Sequence, residues 1–242
     1  MRLYGKNPVL ERLKTNPKSI RKIYVQEGQA DAAYISRKAK QWNIPFSYIP
    51  RSQMLKMGQS LNTQGILVEI DDFVYADYED VIQETKKRHG TIVFLDGVND
   101  PQNLGAIIRS LACLGGFAVV LPLRESVEVT EAVLRVASGA DNFIRIAQVP
   151  NLGQAVDRAK EEGFWLAGAF PDCGQNVMEA DLPFPIGLVV GSEQKGIREG
   201  LLKRLDLKLT IPMPQAKLSL NVAQATTIFA YEINRQKKTN KS

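Results

Sequence analysis

The sequence predicts an α/β protein with a small front domain and a larger domain built on a parallel sheet. Short apolar runs rich in β-branched residues alternate with amphipathic helical segments along the whole chain, which is typical of strands joined by crossover helices. The net charge of +5 is uneven, because residues 1–70 carry twelve Lys and Arg against four Asp and Glu, whereas residues 71–242 carry nineteen against twenty-two. These two observations predict a basic module attached to a near-neutral one.

The front domain, residues 1–70, begins with a helix that we predict to have Asn7 as its cap and Pro8 at its first position, where the missing N–H costs nothing. The further predicted elements are a strand at 20–26, a helix at 31–42, a strand at 46–49, a helix at 51–57 and a strand at 66–70. The positive charge predicts a polyanionic partner, with nucleic acid the first candidate and an ordinary solvated basic surface the alternative. Residues 71–88 are predicted to form a linker, in which an acidic stretch is followed by a short polar helix from residue 78.

The larger domain, residues 89–242, is organised around the stretch from Leu95 to Ser110. Thr91 to Leu95 is typical of a buried parallel strand, Asp100 stands where a helix N-cap belongs, and Pro101 occupies the first helical position. The further predicted strands lie at 117–121, 143–147, 164–169, 186–190 and 207–211, and the predicted helices at 103–114, 130–137, 151–162, 197–203 and 221–236. Together they predict a parallel sheet covered on both faces.

The composition restricts the kinds of catalytic and metal site that the chain can have. His89 is the single histidine, so any reaction must run without a histidine base or a histidine-rich metal site. Cys113 and Cys173 are too few for a disulfide framework and too far apart for a zinc motif, and we predict Cys113 to be a buried free thiol. The chain has no apolar run long enough to span a bilayer and no signal-peptide pattern at its start. A cytoplasmic protein without membrane or metal partner is therefore expected.

Three loops follow predicted strand ends, the place where open parallel sheets bind ligands. They lie at 96–103, at 191–197 and from Pro212 to the start of the last helix. None carries the Gly-x-Gly-x-x-Gly fingerprint or the Lys-Ser/Thr phosphate loop, which argues against a nicotinamide enzyme or an NTPase. Each polar residue in them also has an ordinary structural interpretation: Asn103 as part of a capping region, Arg109 as a solvated side chain, Glu193 as a helix-start carboxylate, Ser219 as an N-cap and Asn221 as a first-turn residue. Those interpretations leave unexplained why all three loops are polar and shaped by Gly or Pro.

Three motifs in these loops resemble a known family. The stretches from Asn99 to Arg109, Gly191-Ser192-Glu193-x-x-Gly196, and Ile211-Pro212-Met213 with Ser219-Leu220-Asn221-Val222 resemble the successive motifs of the SpoU-type (TrmH-like) RNA 2′-O-ribose methyltransferases of the SPOUT superfamily. They occur in the family's order over residues 91–237. A weaker resemblance, carried by Tyr4-Gly5-x-Asn7-Pro8-Val9 and Gln64-Gly65, relates the front domain to the ribosomal-protein-like RNA-binding domain of the subgroup that methylates a guanosine ribose in large-subunit ribosomal RNA.

The resemblance implies a fold that periodicity alone does not predict. It implies a deep trefoil knot near the C-terminus and a homodimer built on it, although true knots are nearly absent among folds. It also implies S-adenosylmethionine bound in the knot by backbone groups around Gly191, Ile211 and Leu220 and near Met213. The positions that match the family's active site are Asn103, Arg109, Glu193, Ser219 and Asn221.

The implied reaction requires a weakly acidic ribose hydroxyl to lose its proton while its oxygen attacks a methyl carbon on a sulfonium. The family is usually described with the arginine at the position of Arg109 activating that hydroxyl. Because a guanidinium is practically never deprotonated in proteins, we favour Arg109 as a donor that holds the ribose or a phosphate and stabilises the developing alkoxide. Glu193 and Asn221 then organise the site, and Ser219 contacts the substrate, in one version from the second subunit.

The sequence departs from the family pattern at Gln194, Lys217-Leu218, Ala223 and Thr63, where Gly, small or acidic residues, Ser and His respectively are frequent. The catalytic set is intact, so these departures affect the RNA side of the site. The expected activity is S-adenosylmethionine-dependent 2′-O-methylation of a guanosine in 23S-type ribosomal RNA. The alternatives are a tRNA or another rRNA nucleotide as target, and a catalytically silent RNA-binding or ribosome-assembly protein.

Overall fold

The computed structural model describes residues 1–59, 61–214 and 219–239; the predicted departures at Lys217 and Leu218 lie outside them. The chain forms two compact units. The front unit comprises Met1–Val74 together with Val129–Phe143, and the large unit comprises Tyr75–Glu128 and Ile144–Ser242.

The helices and strands alternate along the chain, as predicted. The strands are β1 (Arg2–Tyr4), β2 (Ile20–Gln26), β3 (Phe46–Ile49), β4 (Ile66–Ile70), β5 (Thr91–Asp96), β6 (Phe117–Pro122), β7 (Arg145–Val149), β8 (Trp165–Phe170), β9 (Gln175–Asn176), β10 (Ile186–Gly191) and β11 (Leu207–Thr210). The helices are α1 (Lys6–Thr15), α2 (Ala32–Gln41), α3 (Arg51–Gly58), α4 (Tyr78–Lys87), α5 (Pro101–Leu114), α6 (Glu131–Ala137), α7 (Leu152–Glu161), α8 (Glu199–Leu202) and α9 (Val222–Thr239).

The front unit contains a four-stranded sheet in the order β1-β4-β2-β3. The β4 strand is antiparallel to β1 and β2, whereas β3 pairs with β2 in parallel. The predicted cap of α1 at Asn7 is wrong, because the helix begins at Lys6 with Gly5 as its cap at φ 92°. The side chain of Gln64 accepts the Lys6 N–H at 2.9 Å, so a distant residue replaces the local cap and the sequence pattern near Asn7 does not show it.

Within the front unit, residues 129–143 are joined to α1 by a buried ion pair. The Arg12 guanidinium donates to the Asp141 carboxylate at 2.7 Å and to the Asn142 side chain at 3.0 Å. Burial raises the pKa of Asp141 above its usual value, and the Arg12 cation opposes that shift. Sequence periodicity predicts the α6 helix but not this grouping, because the pair joins residues 129 positions apart.

The large unit is built on a seven-stranded parallel sheet in the order β7-β6-β5-β10-β8-β11-β9. The predicted parallel α/β class is confirmed. Every residue of β5 and β6 is buried, as expected of strands covered on both faces. The α4 helix, predicted to lie in a linker segment, contributes Val81 and Ile82 to this core.

Several boundaries differ from the prediction for local reasons. A 3-10 turn at Ala140–Asn142 delays β7, which begins at Arg145 instead of residue 143. The helix predicted at 197–203 is only the single turn of α8.

Cys113 is exposed, not buried, because it lies two residues after the buried Leu111 and therefore about 200° around the helix. Among the described residues, no helix is both long and apolar enough to cross a membrane, and no cluster of His, Cys, Asp and Glu could hold a metal ion.

Candidate functional site

The predicted loops meet at the carboxyl ends of the central strands of the large unit. The β5 and β10 strands are parallel neighbours, and their last residues, Asp96 and Gly191, are register partners. The loops that follow them therefore start side by side. The β11 strand ends at Thr210, immediately before the Ile211-Pro212-Met213 segment, because a proline cannot donate a ladder hydrogen bond.

Three predicted site residues, one from each motif, form a single hydrogen-bonded chain. The Asn221 side chain donates to Asn103 Oδ1 at 2.8 Å, and Asn103 Nδ2 donates to Glu193 Oε1 at 3.1 Å. The backbone N–H of Val222 also donates to Glu193 Oε1, at 3.3 Å. Residues 118 positions apart along the chain are thus joined at one place.

Two of these residues take positions that the sequence did not predict. Asn103 is 8% exposed, so its amide points into the structure instead of outward from α5. Asn221 is the cap of α9 and not a first-turn residue, because its side chain accepts the N–H of Ala223 at 2.8 Å and of Gln224 at 3.3 Å. The start of α9 is thereby fixed against the α5 helix and the loop after β10.

A cavity of about 330 Å³ lies beside this network. All four predicted cofactor-binding residues, Gly191, Ile211, Met213 and Leu220, line it, and Ser219 and Glu193 line it as well. Apolar walls come from Phe170, Val190 and Phe229. The cavity combines apolar side chains with the backbone of a proline-interrupted strand end, which suits an amphipathic ligand with a flat apolar part.

The loop after β10 folds back so tightly that only glycine fits at its start. A Cβ on Gly191 would lie 2.2 Å from the carbonyl carbon of Gly196 and 2.3 Å from the nitrogen of Ile197. Ser192 and Gly196 exchange two backbone hydrogen bonds of 3.2 and 2.9 Å. The close backbone approach shapes the wall of the cavity.

A second, more polar cavity of about 460 Å³ lies on the other side of Glu193. Asn99, Asp100 and Asn103 line it from the first loop, and Lys195 and Arg198 from the second. Because Ser192, Glu193 and Val222 line both cavities, the two share a wall. A molecule in each would meet at this shared wall, which contains Glu193.

Arg109 is the predicted site residue that the structure does not bring into this cluster. It is exposed on α5 and lines neither cavity. Six residues beyond Asn103, it lies about 9 Å further along the helix and about 240° around it. Within the described residues, its guanidinium has no hydrogen-bond or ion-pair partner.

Sequence reasoning missed an ion pair between the buried Asp96 and the half-exposed Arg198 that closes the second loop. The Asp96 side chain is 0% exposed, and its carboxylate accepts the Arg198 backbone N–H at 2.8 Å and the Nε–H at 2.6 Å. Arg198 Nη1 also donates to Glu125 at 2.8 Å, so this arginine, which lies in the loop after β10, joins the end of β5 to the loop after β6. A carboxylate at the end of an otherwise apolar strand was the only local signal.

Comparison with known proteins gives a consistent family. Residues 90–231 match the model of the SpoU rRNA methylase family, and residues 2–76 match the model described as RNA 2′-O ribose methyltransferase substrate binding. A protein of Staphylococcus haemolyticus, named as a TrmH family tRNA/rRNA methyltransferase, is 31% identical over 239 residues, which cover 97% of this chain and 95% of the relative.

Solved structures of RNA methyltransferases are also similar to this chain. An RNA methyltransferase of the TrmH family from Porphyromonas gingivalis has 26% identity and a TM-score of 0.75, with 97% of this chain and 89% of that one covered. The SpoU methyltransferase AviRb of Streptomyces viridochromogenes, solved in complex with the cofactor AdoMet, has 20% identity and a TM-score of 0.82, with 99% and 91% covered. The second similarity concerns the fold.

Proposed function

The chain belongs to the SpoU rRNA methylase family, and from this premise we propose that it methylates a ribose 2′-hydroxyl of RNA with S-adenosylmethionine as cofactor. The observation that carries the proposal is the hydrogen-bonded chain Asn221–Asn103–Glu193, whose Glu193 end lines both the apolar and the polar cavity. It joins the three motifs at a place where two ligands would meet.

The residues of the apolar cavity fit S-adenosylmethionine. Main-chain groups around Gly191, Ile211 and Leu220 would hold the adenine, and Met213 would lie beside the cofactor. The Gly191–Gly196 approach leaves the loop backbone itself as the cavity wall, without a side chain at its start. When bound, the cofactor supplies a methyl group activated by a sulfonium centre.

The roles of the chain's own residues follow from their contacts. Glu193, Asn103 and Asn221 are positioning residues, since each is held by the others and together they fix the start of α9. Arg109, exposed and without a partner among the described residues, would donate to the ribose or a phosphate and stabilise the alkoxide as it forms. Ser219, exposed at the edge of the apolar cavity, would contact the substrate.

We further propose that a homodimer completes the site and that the C-terminal helix is threaded into a trefoil knot. The α9 helix contacts α5, and Gln236 accepts the Leu182 N–H at 3.1 Å and donates to the Val177 carbonyl at 3.2 Å, so residues on two sides hold this helix. Arg109 lines neither cavity of its own chain, which supports its acting on substrate bound to the second subunit.

The proposed substrate is a guanosine of 23S-type ribosomal RNA. The match of residues 2–76 to a substrate-binding model and the positive charge of the same segment support an RNA-holding front domain. A tRNA is the second candidate, favoured by the relatives named as tRNA/rRNA methyltransferases.

The Glu193 side chain offers a first test of the positioning role. Glu193→Gln keeps an oxygen that can accept from Asn103 and Val222, so we expect methyl transfer to stay within about tenfold of the wild type. Glu193→Ala loses both acceptors; we expect the free energy of unfolding to fall by about 1 kcal/mol and methyl transfer by about 10²-fold as the loops shift. Chemical denaturation and initial rates check both. Equal losses in the two variants would show that the charge, not the positioning, matters.

The proposed substrate is tested by mapping 2′-O-methyl groups in a strain that lacks the gene. We expect one methylated guanosine of the large-subunit rRNA to lose its methyl group, and the purified protein with S-adenosylmethionine to restore it on RNA from that strain. Loss confined to a tRNA would replace rRNA by the second candidate. Unchanged methylation of all RNAs, with no transfer in vitro, would favour a silent RNA-binding protein.

A further inference from the structure

The front unit carries a long segment without acidic residues. Between Asp31 and Glu69 the chain has no Asp or Glu, but it has five basic residues: Arg37, Lys38, Lys40, Arg51 and Lys56. Three of these lie in the last two turns of α2, and none of those three has a carboxylate partner among the described residues. This part of the surface therefore keeps its positive charge uncompensated.

Aromatic side chains follow directly on these cations. Trp42 is the C-cap of α2, and the short connection 42–45 leads into β3, which begins at Phe46. Trp42 is 43% and Tyr48 52% exposed. The rings of Phe46 and Tyr48 meet edge to face, with centroids 4.9 Å apart and an interplanar angle of 81°, so Phe46 supports the Tyr48 ring while that ring stays open to solvent.

The β3 strand is one edge of its sheet, since within the described ranges it pairs with β2 alone in the order β1-β4-β2-β3. Large aromatic side chains on an exposed edge are an aggregation hazard unless they have a partner. The partner here must be compatible with a positive surface. An acidic polymer with flat apolar groups meets both requirements.

We propose that the edge formed by residues 37–48 binds unpaired nucleotides of the RNA substrate, with bases stacking on Trp42 and Tyr48 and phosphates contacting Arg37, Lys38 and Lys40. This inference rests on the proposed function, because it specifies the RNA that the front unit holds. Exposed rings next to cations fit single strands, whose bases can splay out and stack. A duplex offers phosphates but no free base faces, so it would contact the cations without stacking on the rings.

The chain contains two tryptophans, Trp42 and Trp165, and this provides the reporter and the control. Trp165 is 50% exposed but lies in the large unit. In the full-length Trp165→Phe variant, we expect oligouridylate to quench the fluorescence of Trp42, and the duplex of oligouridylate with oligoadenylate to quench it much less.

Binding of labelled oligouridylate measured by fluorescence anisotropy tests the stacking directly. Trp42→Ala and Tyr48→Ala should each weaken it by about 5- to 150-fold, the range for loss of one base–aromatic stack, while Trp165→Ala and Tyr48→Phe should leave it unchanged. Lys40→Gln should instead lower the slope of log K against log salt by about 0.7, as expected for one lost phosphate contact on a single strand. Thermal melting shows whether each variant is folded.

Two results would overturn the inference: equal affinity of Trp42→Ala, Tyr48→Ala and wild type for oligouridylate, or quenching by the duplex as strong as by the single strand. The latter would assign the surface to duplex RNA. The outcome is separable from that of the proposed function. Quenching of Trp42 in a protein that transfers no methyl group to RNA would refute the activity and support the stacking surface.

Discussion

Replacing Arg109 by alanine is expected to lower methyl transfer by about 10²- to 10⁴-fold, the usual range for a group that stabilises developing charge or transfers a proton. The same change should leave the free energy of unfolding within about 0.5 kcal/mol of the wild type, because the side chain is exposed and has no partner among the described residues. Binding of S-adenosylmethionine should also persist, since Arg109 does not line the cavity proposed for it. Initial rates, denaturation and calorimetry measure the three quantities.

Arg88→Ala is the matched control for this variant. Arg88 is an exposed arginine at the C-cap of α4, likewise without an ion-pair partner among the described residues. The Arg88→Ala variant should retain the full rate of methyl transfer. A wild-type rate from Arg109→Ala would show that Arg109 is a solvated surface side chain.

Arg109→Lys separates the two mechanisms proposed for the arginine. A lysine sheds a proton far more readily than an arginine but lacks the planar fork that holds a phosphate or ribose in two places. If Arg109 acts by geometric holding, lysine should be nearly as poor as alanine at every pH, which is the result we expect. Substantial recovery with a new pH dependence would assign proton removal to this position.

Mixing subunits tests whether Arg109 acts across the proposed dimer. Arg109→Ala and Ser219→Ala, each expected to be nearly inactive alone, should partly restore activity when mixed under conditions that allow subunit exchange. The reason is that a mixed dimer then has one site with both side chains. Full activity of a protein that light scattering shows to be monomeric would contradict the shared site.

Replacing Gly191 by alanine should weaken S-adenosylmethionine binding by about 10²-fold. The added Cβ would lie 2.2 Å from a backbone carbon of Gly196, and overpacking that forces backbone to move costs about 1–3 kcal/mol. The atoms nearest to that Cβ are backbone atoms of Gly196 and Ile197, so no side-chain rotation relieves the overlap. Because Gly191 and the shifted loop line the cavity proposed for the cofactor, the cost should fall on cofactor affinity, as measured by calorimetry.

Gly200→Ala provides the control. A Cβ on Gly200 meets nothing within 4 Å, and alanine is favoured over glycine inside a helix. This variant should bind S-adenosylmethionine like the wild type. Equal affinities of Gly191→Ala and Gly200→Ala would show that the loop does not form the cofactor wall.

The sequence predicted those parts of the fold that depend on local periodicity. The spans of β2, β3 and β4 are as predicted, and so are the Asp100 cap and the Pro101 start of α5, where the Asp100 carboxylate accepts the Gln102 N–H at 2.8 Å. The two-residue β9 and the three-residue β1 were missed because they are too short to show alternation. The Gly5 start of α1 was missed because its polar partner is Gln64, far along the chain.

In the candidate site, too, the sequence predicted some of the residues and missed others. Motif resemblance brought together the residues that line the apolar cavity and the Asn221–Asn103–Glu193 chain. The Asp96–Arg198–Glu125 cluster was not predicted, since its members lie at a strand end and in two separate loops, and only a folded sheet brings them within hydrogen-bond distance. The inward orientation of Asn103 depends on partners 90 and 118 positions away, which helical periodicity does not encode.

The central claim, transfer to a ribose hydroxyl, is tested most directly by the chemistry of the product. Protein is incubated with S-adenosylmethionine labelled in its methyl group and with RNA from a strain lacking the gene, and the RNA is then hydrolysed in alkali. A 2′-O-methyl group blocks cleavage of the adjacent phosphodiester, so the label should appear in alkali-resistant dinucleotides with wild-type protein and be lost with Arg109→Ala. Label in ordinary mononucleotides, which marks methylation of a base, would contradict the proposed function.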